Sequence, residues 1–199
     1  MTGTLSEVAQ ACWADLAAAA ASREEPFRTP VLSTAGLDGA PEARTVVLRA
    51  VDPARRALTL FTDSRSAKWA ELAADPRAGL VFYDPARQVQ LRLAGTAALH
   101  RDDETARAYW LAAPPAVRLP YLCQPGPGAA LDAAGPGIAP PVFAGPLGED
   151  TLAPGAAFFA VIVLSIHRLQ WLSLRRMGNM AARFDWDERG ALTAGWIVP

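Results

Sequence analysis

Two hydrophobic rhythms alternate along this chain. Residues 5–21 place Leu5, Val8, Ala9, Cys12, Trp13 and Leu16 at intervals of three and four, which predicts an amphipathic helix capped by Thr4 or Ser6. Residues 31–35 change to a strand pattern, and an Asp38-Gly39 turn leads to the β-branched run 44–51, which ends at Asp52-Pro53. In residues 57–63, Leu58, Leu60 and Thr62 alternate with Thr59 and Phe61, so these two runs read as a hairpin. After Asp63 the period becomes helical at Trp69, Leu72 and Ala73, until Asp75-Pro76 stops it. Residues 78–83 and 88–99 are two further strands. In the second, Val89, Leu91 and Leu93 alternate with Gln90 and Arg92, and Gly95 marks a bulge or bend. Asp102 or Asp103 caps a helix through Leu111, Pro114-Pro115 ends it, and a short helical segment reaches Tyr121.

Residues 124–154 are crowded with Pro, Gly and Ala and have no period, so they read as a long loop. Strands resume at 156–166 and 168–174, followed by a turn at 175–179 and strands at 181–187 and 192–198. Many short antiparallel strands with two or three helices predict a mainly β, α+β fold: a closed or nearly closed β-barrel with flanking helices. One domain spans 1–199, with the 124–154 loop inside it.

Composition narrows the classes. At 199 residues and 51% hydrophobic the chain can bury one substantial core, and a formal net charge of −1 gives no general basic field for nucleic acid or an anionic membrane. The apolar run 156–166 is too short to span a bilayer. Cys12 and Cys123 fit no metal or CxxC spacing and read as reduced thiols of a cytoplasmic protein. With only His100 and His167, a zinc site or a Ser-His-Asp triad has little support.

The remaining anion chemistry is local. Ser64, Arg65, Ser66 and Lys68 lie where a strand hands over to a helix N-terminus, whose free N–H groups favour an anion. Among 19 Lys and Arg residues, Lys68 is the one lysine. A compact ammonium with three donors suits a phosphate oxygen, although the same residues would also make an ordinary solvated helix start.

The order of these motifs resembles the pyridoxamine 5′-phosphate oxidase-like FMN-binding split-barrel family. The resemblance rests on Arg44-Thr-Val-Val-Leu-Arg49, Leu60-Phe-Thr-Asp-Ser-Arg-Ser-Ala-Lys68, Glu71-Leu with Asp75-Pro-Arg77, and Gln90-Leu-Arg-Leu-Ala-Gly95. It is weaker from Trp171 to Pro199. It implies FMN as cofactor, with Arg44 and Lys68 on the phosphate and Thr62 with Ser66 or Arg65 assisting. Val46 and Val47 would run beside the flavin ring and offer backbone hydrogen bonds, Gln90 would contact the ring edge, and Thr45 and Phe61 would also bind the cofactor. Trp171 and Arg183 would reach the flavin from the second subunit of a homodimer. The family's substrate-phosphate seat is altered: Arg49 stands where the family has Lys, Tyr109 is kept, and Ala113 and Val117 replace Arg and Ser. Asn179 and Ala181 stand nearest to the family's Arg-x-His.

The resulting expectation is an FMN-dependent oxidoreductase acting on a small molecule, with its electron donor open, and not an efficient pyridoxamine phosphate oxidase. The alternatives are a genuine oxidase whose phosphate clamp uses Arg49, Arg175 and Arg176, and a flavin-binding protein without turnover. No catalytic residue and no metal ligand is assigned.

Overall fold

The computed structural model describes residues 3–143, 145, 147–176 and 178–199. Residues 144 and 146 of the expected loop and residue 177 of the expected turn lie outside that description. Nine antiparallel strands form one sheet: β1 (Val31–Ala35), β2 (Pro41–Thr45), β3 (Leu48–Asp52), β4 (Ala57–Asp63), β5 (Arg77–Asp84), β6 (Val89–His100), β7 (Phe159–Ser173), β8 (Met180–Trp186) and β9 (Leu192–Ile197). The sheet runs β2-β1-β5-β6-β7-β4-β3, with β8 on β7 and β9 on β8. Among the described residues β2 and β3 end the path without pairing to each other. The sheet is therefore an open, split barrel and not a closed one.

Strand β7 is the spine. It pairs with β6 along nearly its whole length, while its first half pairs with β4 (Ala57↔Ser165 to Asp63↔Phe159) and its second with β8 (Arg168↔Asp185 to Ser173↔Met180). Where β4 gives way to β8, the register against β6 shifts between Ala94 and Gly95. A Cβ on Gly95 would lie 2.6 Å from the Ser165 carbonyl oxygen, so only glycine lets the two backbones approach at this bulge. The bulge also joins the two expected strands, 156–166 and 168–174, into one.

A second difference lies near the chain's start. The run expected as one strand over 44–51 breaks at Val46-Val47, so that β2 pairs with β1 and β3 pairs with β4. The Val46 N–H donates instead to the Pro30 carbonyl at 2.9 Å. β-branched residues favour extended backbone but do not dictate a shared partner strand.

The main core lies inside the barrel. Leu32, Leu48, Leu58, Leu80, Phe82, Leu91, Leu164, Leu169 and Phe184 pack there against Cys12, Trp13 and Leu16 of helix α1 (Leu5–Ala21) and Leu72 of α2 (Ala67–Ala74). Each such leucine contributes roughly 1.5–3 kcal/mol relative to an exposed one. Burial pushes the Cys12 thiol up to about 12. A second cluster of Trp110, Tyr121, Leu152, Phe159 and Val161 lies on the other side of β7. That explains why 159–162 are buried without alternation.

Thr4, not Ser6, caps α1: its hydroxyl accepts from the Glu7 N–H while Glu7 accepts from the Thr4 N–H at 2.6 Å. Asp103, not Asp102, caps α3 (Glu104–Ala112) by accepting from the Ala106 N–H at 2.8 Å. Single-turn helices α4 (Pro115–Arg118) and α5 (Glu149–Leu152) follow, with 3-10 turns at Leu119–Leu122, Pro140–Phe143 and Ala153–Ala157, so the later part of the expected loop carries short helical turns. No helix among the described residues is long and apolar enough to cross a membrane.

Candidate functional site

The end of β4 and the start of α2 bring Thr62, Ser66 and Lys68 together. Ser66 is the N-cap residue of α2, yet its side chain makes no capping bond. Its hydroxyl donates to the Asp63 carbonyl at 2.6 Å and lies 3.1 Å from the Thr62 hydroxyl, which accepts from Lys68 Nζ at 3.3 Å. Lys68 is half-buried, and among the described residues no carboxylate lies within 4.0 Å of it. Its pKa is held below the ordinary lysine value, first by desolvation and then by the positive charge of Arg44, with Asp63 and Glu71 opposing. A cation in this position gains from an incoming anion.

Arg44 reaches the same place from β2. Its guanidinium donates to Thr34 of β1 and to Glu71 of α2, the latter at 2.8 Å, while Thr34 donates to the same Glu71 oxygen at 2.5 Å. The Glu71 side chain is 5% exposed. A buried carboxylate therefore orients Arg44 and leaves other guanidinium donors free for a ligand. In the sequence Glu71 stands out only as part of a motif, and Thr34 only as part of a strand. An acidic residue on the buried face of a helix beside Leu72 was the available signal.

Arg65 is placed differently. It forms a two-point ion pair with Asp63 at 2.9 and 2.7 Å, donates to the Cys123 carbonyl at 3.1 Å, and stacks on Phe158 with the guanidinium 3.6 Å from the ring centre. Those bonds point it toward the 123–126 segment. Thr45 is exposed and Val46 buried, and Val46 and Val47 fall outside the paired registers of β2 and β3.

A neighbouring group surrounds Phe61. The register slips between Leu48 and Ala50, so Arg49 is the extra residue of a bulge. Its guanidinium lies 5.2 Å from the Phe61 ring, and Tyr109 of α3 meets the same ring edge-on at 5.3 Å. Tyr109 also brings its hydroxyl to 3.5 Å from that of Thr59. Ala113 is buried and Val117 half-buried. The buried cation of this region is Arg118, which no sequence motif singles out. It is closed by two bonds to Glu149 at 2.8 and 2.7 Å.

Gln90, Trp171 and Arg183 lie on β6, β7 and β8. Trp171 faces Leu91 and Ala182 across the ladders, and Arg183 faces Gln170. Facing residues share a side of the sheet, so Trp171 turns to the core side, and Arg183 and Gln90 to the other. Trp171 packs edge-on to Trp196 at 6.4 Å, and Arg183 is bonded to Asp185 at 2.5 Å. Strands β1, β5 and β6 separate Arg44 on β2 from Trp171, four spacings of about 4.8 Å. One chain thus holds two separate groups. Arg175 donates to Ser173 at the far end of β7, away from Arg49.

This fold and site define an antiparallel split-barrel protein with a local cluster of cations and hydroxyls at the start of α2. The family model described as pyridoxamine 5′-phosphate oxidase matches residues 16–119, and the chain belongs to that family. The matched region holds Arg44, Lys68, Gln90 and Tyr109 and stops before Trp171. The pyridoxine/pyridoxamine 5′-phosphate oxidase of Cupriavidus pinatubonensis is 37% identical over 107 residues, covering 54% of this chain and 48% of that protein. That of Thermosynechococcus vestitus is 48% identical over 64 residues, covering 32% and 29%. The match thus spans about half or less of these relatives' length. Among solved structures, a pyridoxamine 5′-phosphate oxidase-related, FMN binding protein from Nostoc punctiforme superposes with a TM-score of 0.74 at 23% identity, covering 100% of both chains. PhzG from Burkholderia lata gives 0.70 at 18%, covering 96% and 91%. At these identities the likeness concerns the fold.

Proposed function

We propose that this single-domain chain is an FMN-dependent oxidoreductase working as a homodimer, with its flavin phosphate on Lys68, Thr62, Ser66 and Arg44. The observation that carries the reading is the Lys68 ammonium: half-buried, bonded to one hydroxyl, beside a second cation and without a carboxylate partner among the described residues. A phosphomonoester near charge −2 supplies what this donor set lacks, because charge-assisted bonds to its oxygens compensate the desolvated cations. FMN when bound supplies the redox chemistry.

The chain's own residues bind and orient. Glu71 and Thr34 hold the Arg44 guanidinium in place, the Thr62 and Ser66 hydroxyls rotate to donate, and the ladder gap at Val46-Val47 offers backbone groups to a flat ring. Trp171 and Arg183 lie elsewhere in the chain, and a two-fold pair would let them reach the flavin of a second copy, while Gln90 would contact the ring edge. Arg65 belongs to this reading as the residue that fixes the Asp63 turn.

Fluorescence titration with FMN and riboflavin tests the proposal. The wild type takes up FMN stoichiometrically, and Lys68→Ala weakens FMN by about 10²-fold or more while changing riboflavin by less than about 3-fold, as loss of a charge-assisted contact requires. Equal loss for both ligands would remove Lys68 from the phosphate.

A further inference from the structure

We infer that the cleft between helix α1 and the β8–β9 hairpin is a further binding site, separate from the proposed flavin seat, and that its ligand class is a straight-chain aliphatic carboxylate whose head meets Arg56. The cleft has a volume of about 560 Å³, within the range of small-molecule sites. One wall is the hairpin. Phe184 faces Ala194 and Trp186 faces Leu192 across its ladder, so all four side chains share the side turned to α1. The other wall is α1 from Leu5 to Ala17, and Pro53 of the β3–β4 turn adds a third side.

Small residues keep this cleft open. Toward the hairpin α1 presents Ala9, Ala14 and Ala17, side chains too short to reach across, and Leu192 of the opposite wall is 52% exposed. Leu5, Ala9, Trp13 and Ala17 recur every four residues, with Ser6, Gln10 and Ala14 in the adjoining row, so the cleft follows the helix axis for about 18 Å at ~1.5 Å per residue. Among the described residues no charged side chain lines it, and Ser6 and Gln10 supply its polar groups. A long apolar trough of this kind takes an extended alkyl chain.

A cation stands beside the Trp186 wall. The Arg56 guanidinium lies over the Trp186 ring, 5.4 Å from its centre, and against the β8–β9 turn, where a Cβ on Gly190 would be 3.6 Å from Arg56 Nη2. Arg56 is half-buried, its Nε is buried without an acceptor, and its guanidinium pairs with no carboxylate among the described residues. The acids beside it are engaged: Asp52 pairs with Arg55, and Asp187 accepts from the Arg189 and Ala191 N–H groups at 2.9 and 2.8 Å. The turn also holds Arg56 at a φ of 53°, a left-handed conformation that glycine adopts more readily. A desolvated guanidinium with an unused donor is satisfied by an anion, and one fork matches a carboxylate in both charge and shape. Arg56 immediately precedes β4 and Thr62 stands near the far end of that strand, about 20 Å away at ~3.3 Å per residue. The two sites are therefore distinct.

Calorimetric titration of the full-length chain with decanoate, decanol and decyltrimethylammonium, each below its micellar concentration, tests this. Decanoate is expected to bind once per chain and at least about 10-fold more tightly than decanol, with the cation weakest. Octanoate should bind about 5- to 15-fold more weakly than decanoate, the effect of two fewer buried methylenes. Arg56→Gly should abolish the preference for decanoate over decanol, and because it relieves the left-handed turn the variant is expected to stay folded. Ala14→Phe fills the trough from an exposed position, and should weaken decanoate and decanol alike by about 10-fold or more while leaving FMN uptake unchanged. Equal binding of decanoate and decanol, or a preference that survives Arg56→Gly, overturns the ligand class. Uptake of many decanoates per chain, or binding that Ala14→Phe leaves unchanged, overturns the site. A dimer that Ala14→Phe splits into monomers would give the trough to a second copy and overturn the proposal.

Discussion

Glu71 holds Arg44 through one carboxylate oxygen at 2.8 Å, and that same oxygen accepts from Thr34 at 2.5 Å. Three elements, α2, β1 and β2, are thereby locked around one buried charge. Removing the carboxylate leaves a mostly buried guanidinium with only the exposed Glu42, 3.7 Å away, as counter-charge. Glu71→Ala is expected to lower unfolding stability by about 2–4 kcal/mol in urea melts. Thr34→Val should lower it by about 1 kcal/mol, the loss of one hydrogen bond. Near-equal effects would mean that Arg44 is compensated elsewhere.

Lys68 gives a pH test of the flavin seat. Its folded pKa lies below the ordinary lysine value of 10.5, because desolvation and Arg44 disfavour the charged form. The unliganded protein should therefore gain stability as pH rises through the lowered pKa, and the gain should end at the unfolded lysine value. FMN affinity should move the opposite way, falling over the same window while riboflavin affinity stays level. Parallel titration of the two flavins reads this directly.

Gly95 should be intolerant of any side chain. A methyl group added there would approach the Ser165 carbonyl oxygen to 2.6 Å, a clash that only a backbone shift can relieve. Gly95→Ala is expected to lower stability by about 1–3 kcal/mol, the scale of overpacking. Gly39→Ala meets no atom within 4 Å but sits at a φ of 83°, so its smaller cost, about 1 kcal/mol, is conformational. Thermal melts of the two variants compare the mechanisms.

Arg118 and Glu149 anchor the far end of the 124–148 segment. The guanidinium holds the Glu149 carboxyl below its usual range. The anchoring contribution is thus present above the unfolded value of 4.5 and lost as pH falls through the lowered folded pKa. Limited proteolysis should cut within 124–148 faster for Glu149→Gln than for the wild type at neutral pH, and melting should fall too, because the buried Arg118 guanidinium is left without its counter-charge. An unchanged cutting pattern would show that the segment is held by its other contacts.

Light scattering of the FMN-loaded protein is expected to give the mass of two chains, and Trp171→Ala to weaken FMN without touching Lys68. An FMN-loaded monomer would break the dimer reading.

The strands and the two long helices were legible because their apolar periods are regular. Leu58 and Leu60, and Leu91 and Leu93, alternate as a one-sided strand must. The break at Val46-Val47 was hidden because β propensity reports backbone extension, not partner choice. The continuity of β7 was hidden because its residues are buried on both faces at 159–162 and a bulge interrupts the pattern near His167. In the site, the grouping of Thr62, Ser66 and Lys68 followed from proximity along the chain. Glu71 and Thr34 are 37 positions apart, and only the fold brings such a pair together.

Strand β7 begins at Phe159, yet it supplies a long ladder to β6 and the inner neighbour of β4. During synthesis, β4 and β6 emerge about a hundred and about seventy residues before the strand that joins them. Until then each exposes an unpaired edge, and the barrel has only its hairpins. Assembly must therefore await β7, and the waiting edges are the places where a nascent chain would meet a chaperone or aggregate.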